Sequence, residues 1–155
     1  MRSAIGRTFA RSTSFPVSDS DIRRWAMAVY YPVAPPARFW QDRTGSGLTA
    51  PQDFNPFAWM TSSGPEETVE YDPNGPFVAL GVDGPTLDRQ VNGGMEVEYG
   101  VDIRAGDVIS SATTISALAE REGRLGTMLF TTTENVWTNQ RLDQVRVERM
   151  TIIRY

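Results

Sequence analysis

The feature that most constrains the fold is a two-residue alternation of side chains in the second half of the chain. Apolar residues at positions 95, 97, 99, 101 and 103 alternate with mostly charged ones, as they do in a half-buried strand. Turn residues then separate three further segments rich in β-branched residues. The sequence therefore predicts an antiparallel meander with strands near 93–103, 107–120, 125–138 and 144–154.

The last predicted strand contains a break in this alternation. Its apolar residues change parity, from Val145 and Val147 to Met150 and Ile152. An extra residue in one strand shifts the pairing and can restore a single buried face. The break therefore predicts a β-bulge near Arg149.

One helix is predicted early in the chain, with both of its ends marked. Ser18 followed by Asp21 is a variant of the capping box, and Val17 with Ile22 can form a hydrophobic staple. An apolar stripe at helical spacing follows until Pro32. These signals predict a helix over 19–30, preceded by a short strand or extended lead-in over residues 5–17.

The segment that follows gives weaker signals. Thr49 with Gln52 resembles a second capping box and predicts a helix over 50–62, which Pro56 shortens or kinks. Three Gly-Pro dipeptides punctuate residues 62–91 and predict a long irregular stretch, a candidate lid or partner-docking loop. Its acidic residues could formally bind a metal ion, but we interpret them as a solvated loop: Glu66, Glu67, Glu70 and Asp72.

Two helices before a four-stranded meander, with the N-terminal strand returning to the sheet edge, predict an α+β layer in which one sheet covers a helix. A chain of 155 residues fits one domain, 1–155. The net charge is −4 and the 15 basic residues, all arginine, are scattered, which argues against nucleic acid as a partner. No apolar run is long enough to span a membrane, and the expected compartment is the cytoplasm.

The absence of two residue types excludes several chemistries. The chain has no cysteine and no histidine. Disulfides, thiolate metal sites, cysteine nucleophiles, Ser-His-Asp triads and most zinc sites are therefore excluded. No phosphate-binding or dinucleotide-binding glycine motif occurs either.

Four segments together resemble the N-terminal domain of MaoC-like, or FAS1-like, dehydratases. They are Ile22–Pro32, Ala50–Trp59, Asn92–Tyr99 with Ile103–Val108, and Trp137–Gln140. The resemblance covers essentially the whole chain. It implies a hot-dog fold, in which an antiparallel sheet wraps around a central helix.

The resemblance also implies a function. Proteins of this family use paired hot-dog domains to hydrate or dehydrate a 2-enoyl thioester carried on coenzyme A or acyl carrier protein, with no other cofactor. The catalytic half carries Asp and His in a Gly-Asp-x-Asn-Pro-hydrophobic-His motif. Here the segment Asp53–Ala58 matches except that Ala58 stands at the histidine position. Either Asp53 is the remnant of a lost dyad, or its charge is favoured near a helix N-terminus.

We therefore expect no catalytic residue and no metal ligand in this chain. One reading is a substrate-holding subunit of a heteromeric enoyl-thioester hydratase or dehydratase, paired with a histidine-bearing MaoC-like subunit. The alternative is a self-paired acyl-CoA-binding or regulatory module without turnover. Candidate substrate-binding residues are Tyr30, Trp40, Asp53, Phe54, Asn92, Gly93, Gly94 and Arg104.

Each candidate also has a purely structural reading. Tyr30 could donate a hydrogen bond into the site or fill space, and the aromatic residues could line an acyl tunnel or simply form core. Asn92–Gly94 could present backbone N–H groups to a thioester or form a tight turn that needs positive φ. Arg104 could bind a phosphate of coenzyme A or be a solvated turn residue.

Overall fold

The computed structural model describes residues 1–42, 45, 47–58, 60, 72–124 and 126–155. A short 3-10 turn, Arg2–Ala4, precedes the main elements. These are β1 (Thr8–Thr13), α1 (Asp19–Tyr30), a second 3-10 turn (Ala37–Phe39), α2 (Gly75–Ala79), β2 (Gln90–Tyr99), β3 (Ser110–Gly123), β4 (Gly126–Thr138) and β5 (Gln144–Arg154). The predicted α+β class and the four predicted strands are confirmed, but the four-stranded meander is wrong for its first strand, because β2 pairs with β5 and only β3, β4 and β5 are neighbours in chain order.

All five strands form one antiparallel sheet in the order β1-β3-β4-β5-β2. The edges of the sheet are therefore β1 and β2. The strand predicted over 93–103 begins and ends earlier, at Gln90 and Tyr99. Gly100 and Val101 still donate hydrogen bonds to the start of β5, whereas Arg104 forms an isolated antiparallel bridge with Thr49.

The predicted helix over 19–30 is confirmed together with its cap. The Asp21 backbone N–H donates to Ser18 Oγ at 3.1 Å, and the Ser18 backbone N–H donates to Asp21 Oδ2 at 3.2 Å. Both staple residues, Val17 and Ile22, are buried in the same apolar cluster. Within the apolar stripe of α1, Ile22 and Ala26 are fully buried, and Ile22 packs in the cluster that contains Trp137 and Val145 of the sheet. Val29, at the end of the stripe, is 48% exposed.

The core consists of two apolar clusters. The larger lies beneath α1 and contains Val17, Ile22, Leu48, Ala50, Phe54, Ile103, Ile109, Trp137 and Val145. The smaller joins α2 to β3 and contains Ala4, Phe77, Leu80 and Ile115. The functional pocket described below borders the larger cluster.

The predicted helix over 50–62 is wrong in its described residues. Thr49 lies in the bridge to Arg104 and caps no helix. Two successive turns follow, closed by hydrogen bonds from the Phe54 N–H to the Pro51 carbonyl and from the Ala58 N–H to the Asn55 carbonyl. Pro56 supplies no N–H to a helical ladder, and Asn55 Oδ1 accepts the Phe57 N–H at 2.9 Å instead.

The stretch predicted to be irregular over 62–91 contains α2 and contributes to the core. Phe77 is fully buried, and Arg154 Nη1 donates to Asn74 Oδ1 at 2.6 Å. This part therefore packs against the sheet through α2, while residues 83–89 form no helix or strand, as predicted. The lid predicted further upstream, with Glu66, Glu67 and Glu70, lies outside the described residues.

The predicted bulge near Arg149 is also wrong. β5 pairs with β4 without a shift from Arg146 to Arg154, and the shift in its pairing with β2 falls at Gly93, on the other strand. β5 is regular over this range, so residues of different parity lie on different faces of the sheet. Val147 and Met150 therefore point to opposite faces, and Val147 is buried without any bulge.

Candidate functional site

A pocket of about 510 Å³ opens where the end of α1 faces the end of β2. The turn that follows Thr49 and the 3-10 turn Ala37–Phe39 complete its wall. Its lining residues are Tyr30, Arg38, Phe39, Thr49, Ala50, Pro51, Gln52, Asp53, Tyr99 and Asp102. We refer to it as the main pocket. Its volume is within the range of small-molecule sites.

Local structure explains how these side chains come together. Tyr30 is the last residue of α1, and its ring lies 5.8 Å from that of Phe39, centroid to centroid. The guanidinium of Arg38 lies over the same Phe39 ring at 4.6 Å. Asp53 enters the wall on the turn closed between Pro51 and Phe54. The end of α1, the 3-10 turn and the turn after Thr49 thus supply most of the wall, and Tyr99 and Asp102 complete it.

The chemistry available in this wall is limited. Asp53, Asp102 and Arg38 supply charges of both signs, and Tyr30 and Tyr99 supply phenols. No imidazole is present anywhere in the chain, and imidazole is the group that titrates closest to neutral pH. The arrangement is suited to binding and orienting a polar ligand.

A second, much smaller cavity of about 20 Å³ adjoins the main pocket. The two share Ala50, Pro51, Gln52, Tyr99 and Asp102 as walls. The smaller cavity extends towards the core, where Phe54, Trp137, Val145 and Arg146 line it. We call it the inner cleft. Its volume corresponds to about one water-sized probe, so it admits one small group and not a chain.

Arg146 is held tightly at this cleft. Its guanidinium lies 4.9 Å from the Trp137 ring centroid and 5.6 Å from that of Tyr99. Its side chain is 13% exposed and pairs with Glu148, two residues along the same strand. The three stacked side chains come from three adjacent strands, since Arg146 is opposite Trp137 on β4 and Tyr99 on β2.

The structure brings together three of the eight residues named from sequence. Tyr30 and Asp53 line the main pocket, and Phe54 lines the inner cleft. Arg104 lies in a neighbouring cavity of about 370 Å³ with Arg38 and Thr49. Whether any of them contacts a ligand stays a prediction.

The other named residues lie elsewhere. Trp40 lines an open groove beside Met27 on the outer side of α1. Gly93 forms a bulge within β2, and the Gly94 N–H donates to Asn92 Oδ1 at 2.8 Å. Gly94 has φ of +134°, so the expected need for positive φ is confirmed, but in a strand and not in a turn before one. Asn92, Gly93 and Gly94 line none of the pockets described here.

Sequence reasoning did not single out several lining residues. Tyr99 and Trp137 lie within segments that carry the resemblance, but nothing marked them as pocket residues. In the sequence, Arg146 resembles an exposed polar residue of an alternating strand. Side chains of the neighbouring strands bury it, and the sequence pattern does not reveal them. Arg38 lies in the 3-10 turn Ala37–Phe39, and Asp102 lies just beyond β2. Only the tertiary structure places the two residues on one wall.

The described residues contain no group of three or more acidic side chains that could hold a metal ion. Within the same part of the chain, no helix has the length and apolarity needed to cross a membrane.

Comparison with known proteins agrees with this geometry. Residues 3–148 match the family described as "FAS1-like, dehydratase domain region". No curated protein matches the chain in sequence.

Solved structures of similar fold include two complexes from Mycobacterium tuberculosis. ChsH1-ChsH2 is 18% identical, with 94% of this chain and 83% of that chain covered and a TM-score of 0.61. C-terminally truncated HadBC, a 3R-hydroxyacyl-ACP dehydratase, is 16% identical, with 96% and 99% covered and a TM-score of 0.53. A MaoC-like dehydratase from Rhodospirillum rubrum is 16% identical, with 94% and 90% covered and a TM-score of 0.52. These similarities confirm the hot-dog fold.

Proposed function

The chain belongs to the family of FAS1-like dehydratase domains, and from that premise we propose that it is the substrate-holding, non-catalytic subunit of a heteromeric enoyl-thioester hydratase or dehydratase. One observation carries the proposal. The segment Asp53–Ala58, which resembles the family's catalytic motif, begins with Asp53 in the wall of the main pocket and has Ala58 at the histidine position. The aspartate of the resembling segment therefore lies at a pocket, while the motif's histidine is missing from the sequence.

The pocket supports a role in binding. An Asp-His dyad would normally hold water and move protons at the α and β carbons of the thioester. Here Asp53 is in the wall, but no imidazole accompanies it. The remaining space, with phenols, carboxylates and one guanidinium, can still position an acyl thioester carried on coenzyme A or acyl carrier protein. No dissociable cofactor is required by this proposal.

The partner in this proposal is a MaoC-like hot-dog subunit that supplies the histidine. Both complexes from Mycobacterium tuberculosis similar in fold bear two-component names, and this favours a heteromer. The edge strand β2 is where we propose that the two sheets join. It is longer than the other edge strand, β1, and it carries the exposed apolar residues Met95 and Val91 beside Met150 of β5.

The proposal is tested by measuring hydration of crotonyl-CoA by the purified chain, alone and mixed with a histidine-bearing MaoC-like subunit. We expect no rate above background for the chain alone. General acid and base groups contribute about 10²- to 10⁴-fold each, so the mixture should exceed the chain alone by at least that range. Replacing the partner's histidine with alanine should return the rate to background.

Two outcomes would contradict this division of labour. Robust hydration by the chain alone, lost on Asp53→Asn, would show that this chain has its own chemistry. Tight binding of crotonyl-CoA by a self-paired chain, with no stimulation by any histidine-bearing subunit, would favour the alternative of an acyl-CoA-binding or regulatory module.

A further inference from the structure

Two of the side chains that line the inner cleft each carry a buried hydrogen-bond donor without an acceptor. Trp137 Nε1 and Arg146 Nε are both buried and have no hydrogen-bond partner. Other buried polar atoms in the described residues also lack partners, but only these two belong to side chains that line the inner cleft or the main pocket. Trp137 is 95% buried, with 5% of its surface exposed. A buried donor without an acceptor is costly, so this pair favours an acceptor entering the cleft.

The charge around the cleft decides which kind of acceptor fits. The positive charge of Arg146 is already paired with Glu148, and Asp102 adds a further negative charge to the cleft wall. A carboxylate or phosphate in this cleft would therefore face net negative charge at low dielectric. An uncharged oxygen gains the two hydrogen bonds without that repulsion.

The size of the cleft limits the acceptor to a single atom. About 20 Å³ holds roughly one water-sized group, whereas the main pocket beside it is about 510 Å³. A ligand in the main pocket could extend one oxygen into the cleft. A carbonyl oxygen has this size, and its two lone pairs can accept from both donors.

We propose that the inner cleft is a subsite for one uncharged carbonyl oxygen of the bound thioester, held by Trp137 Nε1 and Arg146 Nε. The inference rests on the proposed function, because it takes an acyl thioester as the occupant of the main pocket. Two kinds of carbonyl in such a ligand share this chemistry, that of the thioester and those of the pantetheine amides. The rings of Tyr99 and Trp137 lie against the Arg146 guanidinium and restrict its movement.

Calorimetric titration of the full chain with three probes tests the subsite. The probes are crotonyl-CoA, the thioether S-butyl-CoA, which lacks the thioester carbonyl, and free coenzyme A. Trp137→Phe removes one donor and keeps an aromatic ring, and it should weaken crotonyl-CoA binding about three- to tenfold, the value of one hydrogen bond. Arg146→Lys, which keeps the charge and removes Nε, should have a similar effect and serves if Trp137→Phe fails to fold.

Trp25→Phe is the matched control. Trp25 Nε1 is also buried without a partner, but this residue lines neither the cleft nor the main pocket and packs edge-on against Phe54 at 5.5 Å. Its loss should leave all three affinities unchanged. If removing any buried indole lowered the affinity, crotonyl-CoA would bind equally weakly to Trp25→Phe and to Trp137→Phe. That result would overturn the proposal.

The probes also identify the carbonyl. If Trp137→Phe and Arg146→Lys bind crotonyl-CoA more weakly than wild type but bind S-butyl-CoA equally well, the subsite holds the thioester carbonyl. If they bind all three probes more weakly by the same factor, the subsite holds a pantetheine amide. Unchanged affinities in both cleft variants, with the wild-type chain binding normally, would show that the cleft holds water only and would overturn this inference alone. If the wild-type chain binds none of the probes, the proposed function fails and this inference with it.

Discussion

Gln140 donates a hydrogen bond from Nε2 to Asp107 Oδ1 at 2.9 Å and thereby joins the loop after β4 to the turn before β3. The other carboxylate oxygen, Asp107 Oδ2, accepts the backbone N–H of Arg104 at 2.8 Å. Asp107 is 4% exposed. The two loops lie in separate segments that carry the sequence resemblance, so this carboxylate connects them in space.

Asp107→Asn should destabilise the protein. An amide can replace only one of the two acceptor oxygens and presents its NH₂ group to a donor at the other. A buried donor left without an acceptor costs about 1–3 kcal/mol, which is the expected loss in the free energy of unfolding. Urea denaturation measures it. The exposed Asp83→Asn is the control, and equal losses in the two variants would contradict the role of these hydrogen bonds.

Asp143 should give the protein an acid-sensitive component of stability. The hydrogen bond from Asn139 Nδ2, and then that from Arg141 Nε, both at 3.1 Å, lower the pKa of the Asp143 carboxyl. Because the folded-state pKa is lowered, this stabilisation is complete above the unfolded-state pKa of roughly 4 and is lost as pH falls through the folded-state pKa.

The stability difference between wild type and Asp143→Asn should therefore shrink as the pH is lowered from about 6 to about 2. Thermal unfolding across this range measures it, and the carboxyl ¹³C shift of Asp143 reports the pKa directly. The exposed Asp88→Asn serves as control. A difference that is constant with pH would show that the loop does not depend on the ionised carboxylate.

Tyr30→Phe and Asp53→Asn should alter substrate binding and leave the chemical step nearly unchanged. Both residues line the main pocket, but in the proposed division of labour the partner subunit moves the protons. In a mixture with the histidine-bearing subunit, we expect KM to rise while kcat changes by less than about threefold, far below the 10²- to 10⁴-fold loss typical of a general acid or base. A kcat loss of that larger size would place catalysis on this chain.

Met95→Lys should weaken assembly. Met95 is 52% exposed on the edge strand and opposite Met150 of β5, which is 38% exposed. Burial of a methionine contributes about 1.5–3 kcal/mol, so association measured by sedimentation velocity should weaken at least about tenfold. Met27→Lys, at an equally exposed methionine on α1, is the control. Equal association of the two variants would place the interface elsewhere.

The sequence by itself determined the elements whose signals are local. The alternation that begins at Met95 and the Ser18–Asp21 capping box each lie within a few residues, and the structure has a strand and a capped helix there. The predicted half-burial of that strand is wrong, since Met95 and Tyr99 are exposed. The absence of histidine is equally independent of folding, and it limits the chemistry before any contact is known.

Only the tertiary structure decided the features that depend on distant segments. Thr49 caps no helix because it pairs with Arg104 in an antiparallel bridge. The helix α2, which the sequence did not predict, buries Phe77 in a cluster with Ile115. The strand register places Arg146 of β5 between two aromatic rings. Trp137 lies on the preceding strand, β4, but Tyr99 lies on β2, which is distant in sequence. Local periodicity reports which face of an element is apolar, but hydrogen bonding and burial between separate elements select what that face meets.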